Sequence, residues 1–278
     1  MAYIYWNPDG IIVDLGFYAL RWYSLLFASG FLFSYIILNK KFKAETVSEN
    51  MLDKLTVYVV IAAVIGARLG HCLFYDFNYY SQNLVEIFLP IRLKLQIEFI
   101  GFQGLASHGG IIAILIAIIL YSRKYQVNVF WILDKIALVG PLAGCLIRLG
   151  NLINSEIIGK STSVPWAFIF KRVDNLPRHP SQLYEAMVYF IIFILLNFIA
   201  QKTNKKSGFI FGLFLVLLFL TRFMVEFLKE DQAAFESGLL FNMGQLLSIP
   251  FITLGLILIY IKGENLHQEI KLEQATLK

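Results

Sequence analysis

Residues 208–228 read GFIFGLFLVLLFLTRFMVEFL. From Phe209 to Thr221 no side chain is charged, and the run is long enough for a helix of roughly 20 residues to cross a hydrocarbon core about 30 Å thick. A helix of this length in a soluble domain needs a polar face. This one carries no charge before Arg222 and Glu226 near its end. The stretch is therefore read as transmembrane, and windows of the same kind recur at 17–38, 55–75, 105–121, 136–153, 183–200 and 244–261. These windows predict an all-α, polytopic integral membrane protein of about seven transmembrane helices. Composition agrees, with 58% apolar and 15% charged residues and a mean hydropathy of +0.67, a balance too apolar for a soluble domain.

Secreted, nuclear and disulfide-framework classes are excluded on the same grounds. Cys72 and Cys145 both fall inside apolar windows, where a thiol packs as a small hydrophobe. The net charge of +5 comes from residues flanking apolar spans, a pattern suited to lipid headgroups and topology and not to nucleic acid. The opening MAYIYWNPDG has no basic residue and Arg21 interrupts the first window, so no cleavable leader is evident.

Alternate inter-span segments differ in basic residues, thirteen against seven. The richer set, which includes Lys40, Lys124, Lys205 and Lys262, is expected on the cytoplasmic side. The N-terminus then faces outward and the C-terminus inward, with the long loops 76–104 and 154–182 on the outer face. The mixed apolar and charged stretch NYYSQNLVEIFLPIRLKL in the first of these loops predicts a segment lying along the interface. The segments between spans are too short for a separate soluble domain, so residues 1–278 are read as a single membrane-embedded domain whose polar tail, 263–278, is expected to be flexible. No internal repeat is visible.

Ionisable residues inside apolar spans are costly and usually functional. Here they are Arg21, Arg68, Arg148 and Arg222, with His108, Glu185 and Glu226. With the expected topology, inward-running spans begin near Tyr23, His108 and Glu185, and outward-running spans end near Arg68, Arg148 and Arg222. All of these positions then fall in one leaflet, which predicts a single polar site in its outer half. Gly144, Arg148, Asn151 and Ser155 recur at intervals of four, three and four, and so share a helical face. Arg222 and Glu226 stand one turn apart and are placed to pair. Each feature alone has a plainer reading: a self-neutralising ion pair, an arginine reaching to headgroups, a histidine at a helix start, Tyr23 in an aromatic belt, His179-Pro180 in a turn. Their convergence favours a site.

The strings SHGG (107–110), RLGNLINSE (148–156) with Gly159, PRHPSQLYE (177–185), and Arg222 with Glu226 occur in an order and spacing that resemble the prolipoprotein diacylglyceryl transferase family. The resemblance runs from RWYS in the first span to MGQLLSIP at 243–250. It implies a bacterial inner-membrane enzyme that moves the diacylglyceryl group of phosphatidylglycerol to the lipobox cysteine of a preprolipoprotein signal peptide. Carried over by position, it marks Tyr23, His108, Arg148, Asn151, Glu156, Gly159, Arg222 and Glu226 as functional, with Arg68 and His179 also at motif positions. Ile147, Leu152 and Ser155 depart from the Gly, Phe and Gly usual in the family. They flank the polar set without removing any of it.

The implied chemistry suits these residues. Arginine presents a planar, permanently charged fork to phosphate oxygens, which assigns the anionic lipid and the leaving phosphate to Arg148 and Arg222. Glu226 is then expected to orient Arg222, Asn151 to meet headgroup oxygens, and Glu156 to order the outer loop or the peptide. The substrate thiol, with a free pKa of about 8.5, needs a base or a strongly positive site. His108 is the candidate base, and the field of the two arginines is the alternative. No cofactor or metal is called for, since the histidines and cysteines show no ligand spacing. The rival reading is a transporter or channel for a small anion. Such a pathway needs polar residues along its full depth, whereas inner halves such as IIAILIAIIL are bare. A hydrolase lacks its GxSxG serine, and a purely structural protein predicts that changes at His108, Arg148 or Arg222 alter stability without altering turnover.

Overall fold

Each of the seven apolar windows is a helix long and apolar enough to cross a membrane, so the chain is a multi-pass membrane protein. In a computed structural model, which describes residues 3–16, 19–89, 91–93, 97–99, 106–203, 205–230 and 241–263, they are α1 (Trp22–Ala44), α2 (Glu49–Phe74), α5 (Ser107–Tyr125), α6 (Val129–Asn154), α7 (Ser181–Lys202), α8 (Phe209–Glu226) and α9 (Met243–Lys262). The helix ends differ from the sequence windows by up to seven residues, and two of these differences have a visible cause. The first helix starts at Trp22 because the residues before it are extended: β2 (Ile11–Asp14) and β3 (Ala19–Arg21) pair, and the turn is set by the Gly16 amide, which donates to Asp14 Oδ1 at 2.9 Å. The fourth helix starts earlier, at Val129. Asp134, just ahead of the apolar window, has a partner outside its own helix: its carboxylate accepts from the amides of Gly208 and Phe211, each at 2.7 Å, and so caps the first turn of α8.

The chain divides into two compact units. The first holds Met1–Val13, Leu20–Ile36 and Leu133–Lys278. Its core is a seam of Ala137, Leu138 and Cys145 from α6 against Ala186, Tyr189, Ile192 and Leu196 from α7 and Ile210 from α8. On α7 the buried positions Glu185, Tyr189, Ile192 and Leu196 share one face, while Ile191, Ile194, Leu195 and Phe198 are exposed. Both faces are apolar because lipid, not water, is the outer solvent. Beside this bundle, β1 (Ile4–Trp6), β6 (Phe168–Phe170) and β7 (Pro177–Arg178) form a small sheet, with β1 parallel and β7 antiparallel to the central β6. Leu152, Phe168 and Phe170 make a second apolar cluster under it, and the indole of Trp6 donates to the Leu152 carbonyl at 2.8 Å.

The second unit holds Asp14–Ala19 and Ile37–Ile132. Its axis is the crossing of α2 and α5, where backbones nearly touch. A methyl group on Gly109 would stand 2.3 Å from the Gly66 carbonyl oxygen, and one on Gly66 would stand 2.2 Å from the Ala113 methyl. Small residues at this spacing let two membrane helices pack backbone to backbone. The loop expected along the interface folds into two single-turn helices, α3 (Phe77–Tyr80) and α4 (Val85–Phe88), followed by a hairpin of β4 (Ile91–Leu93) and β5 (Ile97–Phe99). The rest of that loop, residues 90, 94–96 and 100–105, and the tail from 264 to 278 lie outside the described residues. Cys72 and Cys145 are buried free thiols.

Candidate active site

The site in the first unit grows from the C-terminal half of α6. Gly144 packs against the Tyr189 ring, where a methyl group would stand 3.1 Å from Cδ2, so the stripe of Gly144, Arg148, Asn151 and Ser155 faces α7. One turn on, Arg148 Nε lies 2.7 Å from Glu185 Oε2. That oxygen accepts no aligned hydrogen bond, so the contact is an ion pair seen from the side of the guanidinium. Arg148 Nη1 donates to Asn151 Oδ1 at 3.3 Å, and Asn151 Nδ2 donates onward to Glu156 Oε2 at 3.0 Å. Asn154 Nδ2 holds the other Glu156 oxygen at 2.9 Å.

Glu156 sits in a strained turn. Ser155 and Ile157 on either side have φ of 58° and 56°, a region that costs residues with a side chain about 1–3 kcal/mol. The turn is secured by the α7 entry: Ser181 Oγ donates to the Ile157 carbonyl at 2.7 Å, and the Gln182 amide donates to the Glu156 carbonyl. The left-handed backbone at Ser155 also accounts for the glycine that the family resemblance implies there.

Beyond Glu185 the charges continue. Lys229 Nζ donates to Glu185 Oε1 and to Glu226 Oε2, each at 3.0 Å, so Arg148, Glu185, Lys229 and Glu226 alternate in sign along a buried line. This corrects one expectation: Glu226 does not orient Arg222. Lys229 takes the carboxylate, and Arg222 has no ion-pair or hydrogen-bond partner among the described residues. Arg222 is half-buried, within electrostatic range of Tyr189. Tyr23 joins from α1, packed on Gly150 where a methyl group would meet its ring at 2.8 Å, and within electrostatic range of Glu156 and Arg148.

Gly159 and His179 frame the rim. The Gly159 amide donates to the His179 carbonyl at 3.0 Å, and a Cβ there would lie 2.5 Å from that oxygen and 2.8 Å from the Leu228 carbonyl. Only glycine allows this double approach. His179 Nδ1 lies 3.2 Å from the Tyr184 hydroxyl, which accepts from the Trp166 indole at 2.8 Å. The direction of the Tyr184–Nδ1 contact follows the imidazole tautomer, and burial pushes the His179 imidazole below its ordinary range. Arg178 grips Asp174 at 2.6 Å and also reaches the Gly159 carbonyl and Glu230. The guanidinium holds the Asp174 carboxyl below the usual carboxylate range.

The remaining two sequence candidates belong to the second unit. Arg68 is buried, donates to the carbonyls of Ile87 at 3.1 Å and Glu86 at 2.6 Å, and stacks 4.8 Å from the Tyr80 ring centroid. It pins the two short helices α3 and α4 to α2. His108 is exposed in the first turn of α5. One member of the buried charge line, Lys229, was absent from the expected polar site. Glu185 is legible as an intramembrane charge in HPSQLYE, but Lys229 looks like a loop residue, and its signal is only the i, i+3 spacing to Glu226. Among the described residues, no group of three His, Cys, Asp or Glu side chains is placed to hold a metal ion.

A helical membrane bundle that buries alternating charges beside an arginine without a partner among the described residues is a membrane protein with a polar cluster built into its helices. The sequence comparisons make the class specific. Residues 10–261 match the prolipoprotein diacylglyceryl transferase family. The chain is 45% identical to the phosphatidylglycerol–prolipoprotein diacylglyceryl transferase of Bacteroides fragilis over 94% of this chain and 96% of that protein. It is 46% identical to the enzyme of the same name from Tolumonas auensis, covering 94% and 98%, and 43% identical to that of Chloroherpeton thalassium, covering 93% and 94%. The chain belongs to the prolipoprotein diacylglyceryl transferase family.

Proposed function

We propose that this protein transfers the diacylglyceryl group of phosphatidylglycerol to the cysteine thiol of a preprolipoprotein lipobox, the first step of bacterial lipoprotein maturation. The thiol sulfur attacks the glycerol carbon that carries the phosphate, the carbon–oxygen bond breaks, a thioether forms and glycerol phosphate leaves with the bonding electrons. The observation that carries this reading is the pairing state of two arginines. Arg148 is fixed by Glu185 and Asn151, while Arg222 has no hydrogen-bond or ion-pair partner among the described residues and lies within electrostatic range of Tyr189. A fixed fork and an open one suit a site that must hold an anionic phosphodiester and stabilise the charge of a departing phosphate, where positioned donors act most strongly.

In this reading Asn151 and Tyr23 meet headgroup oxygens and Glu156 orders the turn that receives the peptide. Gly159 shapes the rim with His179, Glu226 belongs to the buried charge line beside Arg222, and Arg68 acts by holding α3 and α4. His108 takes the thiol proton, the imidazole being the side chain suited to accept a proton from a reacting group at neutral pH. The chain works as one membrane-embedded catalytic domain of the bacterial cytoplasmic membrane, N-terminus outside and C-terminus inside, with the site toward the outer leaflet. The excess of basic residues in alternate loops supports this orientation. Transport of a small anion is not favoured, because the relatives are named as transferases and the charges do not run the length of the bundle.

The test is reconstitution with phosphatidylglycerol and a synthetic lipobox peptide, following peptide mass. A diacylglyceryl gain on the cysteine peptide and none on its serine counterpart is expected. A folded protein that modifies neither peptide overturns the reading.

A further inference from the structure

We infer that Lys229 is a positioning residue whose ammonium holds the Glu226 carboxylate and thereby keeps the Arg222 guanidinium open to an anionic lipid headgroup. The inference deepens the transferase reading and rests on it for the identity of the lipid. Arg222 and Glu226 are one helical turn apart on α8, the spacing at which arginine and glutamate ordinarily pair. In a low-dielectric surrounding a carboxylate is not left without a cation, so a rival must occupy Glu226 if Arg222 is to stay free. Lys229 is that rival. Its side chain is 1% exposed, against 5% for Glu226 and 0% for Glu185, and it bonds both carboxylates at 3.0 Å.

The backbone fixes this arrangement. Lys229 lies just past the end of α8, where its amide donates to the Glu226 carbonyl at 3.2 Å. It is bridged antiparallel to Gly159, with the Lys160 amide on the Leu228 carbonyl at 2.8 Å. On the other side of Glu226, Gly244 of α9 offers only backbone; a methyl group there would lie 2.5 Å from the carboxyl carbon. The carboxylate is therefore closed in, with Lys229 as its cation. An ammonium with three donors can serve two carboxylates at once. This one also completes the shell of Glu185, whose other oxygen faces Arg148. One lysine thus governs both arginines: it steadies Arg148 through Glu185 and frees Arg222 by engaging Glu226.

The experiment compares wild type with Lys229→Met, Lys229→Arg and the double variant Lys229→Met/Glu226→Gln in detergent–lipid mixed micelles with varied mole fractions of phosphatidylglycerol in phosphatidylcholine. Transfer to the cysteine peptide is followed, and retained phosphatidylglycerol is counted on the solubilised protein by native mass spectrometry. Lys229→Met should raise the half-saturating mole fraction about tenfold, the size of one charge-assisted contact, with a smaller change in maximal rate, because its Glu226 turns to Arg222. Lys229→Arg should restore the wild-type value. The double variant, in which residue 226 carries no carboxylate to capture Arg222, should recover at least half of the lost lipid affinity, an effect that a merely structural lysine does not produce. Unchanged half-saturation in Lys229→Met, or a double variant no better than the single one, overturns the inference. If Lys229→Met does not fold, the double variant against wild type decides, a tenfold loss of retained phosphatidylglycerol overturning the inference and near wild-type retention supporting it. A wild type that retains phosphatidylglycerol in a Lys229-dependent way yet makes no product would sink the transferase reading and leave this inference standing.

Discussion

Arg68 and Arg148 both lie inside apolar helices and are both close to a glutamate, yet their surroundings differ in kind. Arg68 donates to main-chain carbonyls of Glu86 and Ile87, groups that cannot move without unfolding α4. Arg148 meets the side chains of Glu185 and Asn151, and each of these is held by a further residue. A guanidinium bonded to backbone is a rivet. One bonded to a chain of side chains can exchange a partner for an incoming anion. The partners of an arginine, more than its burial, separate an anchor from a working group.

This contrast can be broken most directly by Arg148→Lys, which keeps the charge and loses the fork. Turnover in the reconstituted assay should fall on the order of 100-fold or more, with membrane insertion and melting little changed; near-normal turnover would remove Arg148 from the phosphate role. The partner experiment is Arg68→Met, which should lower stability by about 1–3 kcal/mol for each buried main-chain carbonyl that it leaves unpaired. Molecules that remain folded should keep most of their turnover. If the two variants behave alike, the contrast fails.

His108→Gln sharpens the question of proton transfer. Its rate should be reduced about 100-fold at neutral pH and climb toward wild type as pH approaches the thiol pKa of about 8.5, since an ionised thiol needs no base. A pH-independent deficit would move His108 from base to lipid contact. Smaller again is Asp134→Ala, which uncaps α8 and should cost about 1 kcal/mol in a thermal or denaturant melt without altering lipid dependence. Ser155→Gly relieves a left-handed position and removes a buried hydroxyl that has no partner. It should gain about 1 kcal/mol, and a loss there would mean that the serine does more than occupy a turn.

The weakest effect is on pH. Both His179, lowered by burial, and Asp174, lowered by Arg178, bind protons less readily when folded. Their stabilisation is complete above the unfolded values. As pH falls, the His179 share fades first, beginning near the ordinary histidine value of about 6.5, and the Asp174 share below about 4. A melting temperature that rose on acidification would contradict both assignments.

The helices were legible because crossing a bilayer demands length and apolarity, which are written consecutively in the chain. The β1–β6–β7 sheet was not, because strands of two or three residues carry no period, and Ile4 meets Phe168 only through the fold. At the site, the α6 stripe could be read from spacing, but that it faces α7 is given only by the fold. The identity of Glu226's partner could not. Spacing along α8 pointed to Arg222, and the competitor, Lys229, sits beyond the helix end, where hydropathy windows treat a lysine as a loop residue. Local spacing proposes pairs, and the chain reversal after α8 selects among them.

The near contact of Gly66 with Gly109 has a practical consequence for handling the protein. With so little side-chain volume at that crossing, α2 and α5 lose almost no rotamer freedom on docking, and no acyl chain or detergent tail is slim enough to slip between their backbones. Solvents that strip annular lipid should loosen other contacts first. Limited proteolysis of solubilised material should therefore release a fragment in which these two helices still travel together, long after peripheral segments have been cut away.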